Sequence, residues 1–298
     1  MSPQSPLEGV LVPLLTPFGD DLRPDPVRFI ALARHLMGQG LGLAPFGTTS
    51  EGNSLSVDEK IALLDALVEA GLDPARMMPG TGACALSDTV RLSAHAVRLG
   101  CGGVLMLPPF YYKTVCDEGL FRAFATAIEG IGDPRLRVYL YHFPRQSQIP
   151  LSLALIRRLV AAFPGIVVGA KDSSGEFANM EAMATGIPGF KVFAGTERLI
   201  LPMMRAGGAG CISANANING AAMLELWHRW REPEAEALQA ELESFRSVME
   251  GMPLIAALKA ILARRLGDDG WRRVRPPLVE LSTEVDAVVH RRLTEILE

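Results

Sequence analysis

Only five lysines stand against 24 arginines in this 298-residue chain, and one of them, Lys171, is set unlike a surface residue. It follows the apolar run Ile166-Val167-Val168-Gly169-Ala170. Strand alternation groups Val167, Gly169, Lys171 and Ser173 on one face and Val168, Ala170 and Asp172 on the other. Both faces are apolar or small, so one of them must face a core. Desolvation lowers a lysine pKa from about 10.4, and an amine brought to about 7 to 8 can stay neutral and attack a carbonyl to form a Schiff base. A lysine held by Asp172, or by a carboxylate on a neighbouring strand, fits the spacing equally well.

Iminium chemistry also needs a proton relay and a cradle for a substrate carboxylate. Tyr141, in Val138-Tyr139-Leu140-Tyr141-His142-Phe143-Pro144, offers a phenol that both donates and accepts; its plainer role is a core aromatic. Gly47-Thr48-Thr49 offers hydroxyls and backbone N–H groups on a glycine-containing turn, or simply a strand-to-helix connection capped by Ser50 and Asn53.

These residues need a scaffold that brings distant segments together. Eight apolar runs, at 9–18, 42–49, 76–82, 102–110, 137–144, 166–174, 190–197 and 209–217, are each followed by a segment of helical period. Asp25-Pro26 reads as a helix start before the stripe Phe29, Leu32, Ala33, Leu36 and Met37. Ser56-Val57-Asp58-Glu59 reads as a capping box before Ile61, Leu64, Leu67 and Val68, and Gly100 and Gly207 stand where helices should end. Eight βα units predict an α/β fold, a (β/α)8 TIM barrel over residues 1–219. Residues 220–298 predict the last barrel helix and a C-terminal helical appendage of the same structural unit, with helices at 232–246, 253–266 and 283–297. Gly207-Gly208-Ala209-Gly210 reads as a tight turn at the opposite end from the site.

Active sites of such barrels lie at the C-terminal ends of the strands. The polar residues there are Thr48, Thr49 and Glu51; Tyr111 and Tyr112; Tyr141 and His142; Lys171 and Asp172; Thr196 and Glu197; and Ser213 and Asn215.

Composition removes other classes. A net charge of -4 without a basic run gives no cationic face for nucleic acid. No run reaches the roughly 18 to 20 apolar residues of a membrane helix, and Met1-Ser2-Pro3-Gln4-Ser5-Pro6 has no signal-peptide pattern, so a cytoplasmic protein without membrane contact is expected. Cys84, Cys101, Cys116 and Cys211 form no C-x-x-C, and the five histidines show no ligand spacing, so neither a metal nor a cofactor is expected.

Taken together, Thr16-Pro17-Phe18, Gly47-Thr48-Thr49-Ser50-Glu51, Pro109-Phe110-Tyr111-Tyr112, Tyr141-His142-Phe143-Pro144, Gly169-Ala170-Lys171-Asp172-Ser173-Ser174-Gly175 and Gly208-Ala209-Gly210-Cys211-Ile212-Ser213 resemble the dihydrodipicolinate synthase / N-acetylneuraminate lyase family of class I pyruvate aldolases. The resemblance implies that Lys171 forms the Schiff base with pyruvate or another 2-oxo acid and that Tyr141 is the general acid/base. It further implies that Thr48 and Thr49 hold the pyruvate carboxylate, the Thr49 hydroxyl linking Tyr141 to Tyr111. Tyr111 would reach in from a neighbouring subunit of a homotetramer or homodimer, and the Ile212 carbonyl would shape the pocket floor.

Departures from the family bear on the substrate. Dihydrodipicolinate synthases carry an arginine five residues after the catalytic tyrosine; here that position is Gln146, with Arg145 one step earlier. Sialic acid lyases carry two acidic residues after the seventh strand, where this chain has Glu197 alone, and Ser50 replaces a usual glycine. Arg145 thus reads as a surface residue or a substrate-carboxylate contact, and Glu197 as a solvated turn acid or a hydroxyl-binding group. The Lys-Asp-Ser-Ser-Gly string looks more like the 2-keto-3-deoxy sugar-acid aldolases and dehydratases than lysine biosynthesis. Besides a lyase, a non-catalytic pyruvate-binding barrel and a metal-dependent barrel enzyme are the readings to separate.

Overall fold

The computed structural model describes the backbone of residues 6–297 and side chains through 293; the signal-peptide reading falls on residues 1–6, of which 1–5 lie outside the described residues. Seven parallel strands, β1 (Gly9–Val12), β2 (Gly42–Leu43), β3 (Val104–Met106), β4 (Val138–His142), β5 (Val167–Asp172), β6 (Lys191–Ala194) and β7 (Gly210–Cys211), form one sheet in the order β2-β1-β7-β6-β5-β4-β3. The apolar run at 76–82 is not a regular strand. Pro79 interrupts it and has no N–H for a ladder. It nonetheless joins both edges of the sheet: Met77 bridges to Leu43 and Gly80 to Leu105. The Met78 N–H donates to the Leu43 carbonyl at 2.8 Å, and the Thr81 N–H to the Leu105 carbonyl at 3.0 Å. The sheet therefore curls into a TIM-barrel-like ring.

The flanking helices begin and end largely where their caps are written. Asp25 accepts from the Val27 and Arg28 N–H groups, and Phe29, Leu32, Ala33, Leu36 and Met37 are all buried. The Ser56–Glu59 capping box forms, but the buried face behind it is Lys60, Leu63, Leu64 and Leu67, so Ile61 and Val68 lie at its edges. Gly100 closes its helix at φ +83. After the helix Ala216–Arg229 come three more, Ala235–Val248, Leu254–Leu266 and Thr283–Leu297.

Alternation sorts the strand side chains into an inner and an outer core. Leu11, Ala44, Leu105, Tyr139, Tyr141 and Phe193 fill the barrel, whereas Val10, Val12, Val104, Val138, Leu140, Ala170 and Val192 face the helices. One strand breaks the alternation. β4 pairs Val138 with Val167 but Tyr139 with Gly169, so β5 carries an extra residue there. Val167, expected on the lysine's face, belongs to the outer core, and Val168, expected opposite, packs against the inner one. From Gly169 onward the expected alternation holds, with Tyr141 level with Lys171 and Lys171 level with Phe193.

The inner core is tight below the lysine. Tyr139 is fully buried, accepts a hydrogen bond from the Leu7 N–H at 2.7 Å, and lies between Gly103 and Gly169. A Cβ on Gly169 would stand 2.7 Å from the Tyr139 ring and 2.3 Å from the Lys191 carbonyl oxygen. Gly169→Ala should therefore lower the unfolding free energy by about 1–3 kcal/mol, the scale of core overpacking. Urea denaturation checks this, and an unchanged midpoint would show that the ring has room to move.

Candidate active site

Lys171 points into the barrel and is 5% exposed. Its Nζ lies 3.4 Å from the Tyr141 Oη and 4.5 Å from the centre of the same ring. The Asp172 alternative fails on geometry: Asp172 is fully buried on the helix side, where it accepts from the Ser174 N–H at 2.7 Å and the Asn179 Nδ2 at 2.6 Å. Among the described residues, no carboxylate forms an ion pair with Lys171. The amine is left facing a phenol and open space. His142, level with Asp172 and outside the cavity lining, has its imidazole held below the ordinary pKa by burial, and its Nδ1 accepts from the Leu151 N–H at 3.1 Å.

That space is a cavity of about 780 Å³ lined by Thr48, Thr49, Tyr141, Lys171, Ile212 and Arg145, among others. Six of the eight residues expected at a site thus converge. The hydroxyl contact differs by one residue from expectation: Thr48 Oγ1, and not Thr49, lies 3.3 Å from the Tyr141 Oη. Tyr111 does not line the cavity of its own chain. It is 73% exposed and packs edge-on against Tyr112, at 5.3 Å between ring centres. Gln146 is exposed and also stays outside the cavity lining.

Glu197 is neither a solvated acid nor a cavity wall. It is fully buried, because Ser213 Oγ and Asn215 Nδ2, the latter at 2.6 Å, donate to its two oxygens and replace water. Arg246 Nη1 approaches the same carboxylate at 3.7 Å, and Gln239 Nε2 donates to the Glu197 backbone carbonyl at 3.1 Å. Arg246 and Arg198 line the cavity; Arg246 escaped the sequence reading because helix position says nothing about distance to a strand end, whereas Arg198 directly follows Glu197 in the turn after β6 and was within its reach.

The threonine turn is held from behind. Phe46 and Glu51 have positive φ, +66 and +54, which costs a non-glycine residue about 1–3 kcal/mol and persists only where neighbours enforce it. Thr16 Oγ1 donates to the Ser50 carbonyl at 2.7 Å. The Glu51 side chain, fully buried, pairs with the equally buried Lys259 and accepts from the Arg275 N–H at 2.8 Å. Lys259 also donates to the Arg273 carbonyl at 2.7 Å, and burial pulls its pKa below the ordinary value against the pull of Glu51. A single lysine inside the apolar stretch Leu254–Leu266 was a signal for this partner. The Ser50 hydroxyl, where a glycine was expected, is buried without a hydrogen-bond partner among the described residues.

Among the described residues no cluster of three or more His, Cys, Asp or Glu could hold a metal ion, and no helix is long and apolar enough to cross a membrane.

Known proteins resemble this chain over nearly its whole length. The sequence model of the Dihydrodipicolinate synthetase family matches residues 6–296. A DapA-like lyase of Chloroflexus aurantiacus is 32% identical over 297 residues, covering 97% of each chain. The crystal structure of dihydrodipicolinate synthase from Agrobacterium tumefaciens superposes with a TM-score of 0.89 at 31% identity, over 97% of this chain and 99% of that one. The 2-keto-3-deoxygluconate aldolase of Sulfolobus solfataricus shares the fold, with a TM-score of 0.87 at 22% identity over 97% of this chain and 96% of that one.

The clamp behind the turn makes stability depend on pH. Arg275 hydrogen-bonds Glu59, at 2.5 and 2.9 Å, and holds its carboxyl down at about 2 against an ordinary 4.5. A folded-state pKa below the unfolded one adds stability that is present above about 4.5 and is lost as pH falls towards 2. Glu59→Gln, which keeps the capping geometry, should cost roughly 1–2 kcal/mol at pH 7 after allowance for partial exposure, and should flatten the stability profile between those limits. Denaturant titrations across that range check it; parallel profiles for the two proteins would remove Glu59 from the clamp.

Proposed function

The chain belongs to the Dihydrodipicolinate synthetase family, whose members are lyases, and from that premise we propose that Lys171 condenses with the C2 carbonyl of pyruvate or another 2-oxo acid. The observation that carries this reading is the buried amine 3.4 Å from the Tyr141 hydroxyl, at the wall of a cavity and free of any described carboxylate partner. The Nζ lone pair attacks C2, and the proton the nitrogen then sheds passes to the carbonyl oxygen, which becomes a hydroxyl. Tyr141 donates the proton with which that hydroxyl leaves as water, giving the iminium. The Thr48 hydroxyl, 3.3 Å from the phenol oxygen, holds it in place by a hydrogen bond. The Thr48-Thr49 turn takes the carboxylate, and Ile212 lines the cavity beside the lysine. The Tyr141 phenolate left by iminium formation takes a C3 proton to give an enamine for aldol addition; the reverse path cleaves, and expulsion of a C4 hydroxyl from the enamine, protonated as it leaves as water, dehydrates.

We take 2-keto-3-deoxy sugar acids as the substrate class, supported by the cavity's size and by Gln146 lying outside it while Arg145 lines it. The alternative, 4-hydroxy-tetrahydrodipicolinate synthase, is favoured by the 31% identity to the Agrobacterium enzyme. For Thr49 we propose a carboxylate contact. For Tyr111 we propose a relay role in the site of a second copy, supported by the exposure of Tyr111 and Tyr112 at 73% and 75%; the assembly would be a homodimer or homotetramer. Residues 220–298 belong to the barrel's own unit, a reading supported by the Glu51–Lys259 and Glu197–Arg246 pairs. A cytoplasmic location is supported by four cysteines without a disulfide.

Borohydride treatment in the presence of pyruvate, followed by mass spectrometry, should add the reduced pyruvyl group to Lys171 and nothing to Lys171→Ala. An intact mass unchanged in the wild type would remove the mechanism. Tyr141→Phe should still bind pyruvate but turn over about 100-fold or more slowly, the range of general acid/base catalysis. Trapping of pyruvate without turnover of any 2-keto-3-deoxy acid or aldehyde would favour the non-catalytic binding barrel.

A further inference from the structure

We propose that the part of the cavity beside the helix Ala235–Val248 is a subsite for a second carboxylate of the substrate, remote from its keto acid, and that Arg246 reads it while Glu197 positions Arg246. This rests on the Lys171 reading and names the substrate more narrowly.

Arg246 has the features of a recognition group. Arg246 lines the cavity, its side chain is 26% exposed, and among the described residues its one polar partner is Glu197, an ion pair at 3.7 Å without a hydrogen bond. The donors of this fixed cation are therefore free for a ligand acceptor. Glu197 is a rigid anchor: fully buried, with both carboxylate oxygens bonded to Ser213 and Asn215, and with its backbone carbonyl bonded to Gln239, seven residues before Arg246 on the same helix. A buried acid held on three sides fixes where the arginine stands.

Charge around the cavity sets the number of negative charges wanted. Arg198 is matched by Glu250 at 2.6 Å, and Arg246 by Glu197. The iminium nitrogen of Lys171 is matched by the carboxylate of the keto acid itself. Arg145 remains, lining the cavity with no ion pair among the described residues. One uncompensated cation, together with the unused donors of Arg246, suits a single carboxylate better than a doubly charged phosphate. A cavity of about 780 Å³ also holds far more than a three-carbon acid.

The test uses Schiff-base trapping, so it holds whether the enzyme cleaves, adds or dehydrates. The half-saturating concentration for borohydride trapping is measured with 2-oxoadipate and with 2-oxohexanoate, which share a six-carbon chain and differ in a terminal carboxylate. Wild type should favour the dicarboxylate by about tenfold or more, the worth of a charge-assisted hydrogen bond. Arg246→Met should bring the ratio close to one. Arg246→Lys, which keeps the charge but loses the fork, should fall between them. Equal trapping of the two acids by the wild type would overturn the proposal whatever the variants do, as would a wild-type ratio in Arg246→Met. Inorganic phosphate that competes better than acetate would overturn the carboxylate assignment. Failure of the wild type to trap even pyruvate would instead remove the Lys171 mechanism, so the two failures are separable.

Discussion

The register between β4 and β5 is the constraint on which the site depends. Parallel pairing sets Tyr141 level with Lys171, and both side chains point into the barrel at the wall of the cavity. Two groups 30 residues apart are thereby held at 3.4 Å by backbone hydrogen bonds and not by a loop. The extra residue at Val167–Val168 matters for the same reason. Without that slip, Tyr139 and Gly169 would not be level, and the ring that fills the barrel beneath the lysine would meet a side chain instead of a glycine. Catalytic geometry and core packing are settled by one pairing.

The barrel's periodicity was legible because it is local. Apolar runs of period 2 followed by stripes of period 3.6, with Asp25, Ser56 and Gly100 as caps, need no knowledge of the partner strand. That Gly169 and Lys171 share a face was legible too, since alternation holds over that stretch, but which of the two faces turns inward was not. What alternation could not reveal was the bulge, which depends on the neighbouring strand's register, or the loss of the ladder at Pro79, where a run of suitable composition lacks a donor. Thr48 and Thr49 could not be told apart for a related reason. The chain leaves the strand before them, so neither has an alternation to inherit, and the left-handed residues Phe46 and Glu51 on either side decide which hydroxyl faces the phenol.

Acidic residues were the least legible. Glu51 and Glu197 look like polar ends of strands, where solvent or substrate is the default neighbour, yet both are fully buried. Ser213 and Asn215 meet Glu197 from the next strand end, and further partners come from 49 residues downstream for Glu197 and 208 for Glu51, on helices whose docking no local pattern specifies. A carboxylate out of water must be met by donors, and unpaired it would cost several kcal/mol. The C-terminal helices supply some of those donors.

This gives the molecule a division of labour with a physical basis. Groups that act on the keto acid stand on strands and the first turns beyond them, where the ladder fixes position. Groups that could meet the remainder of a substrate stand on the later helices, where only packing and a few ion pairs fix it. Two buried acids join the layers: Glu51 ties the threonine turn to Lys259 and Arg275, and Glu197 ties the ends of β6 and β7 to Gln239 and Arg246. Each pair is more valuable as a locator than as a source of stability, since a buried ion pair gains little over an apolar contact of the same volume. Substitutions on the helices can therefore reshape the distal wall without disturbing the amine and phenol, provided those two carboxylates keep their partners.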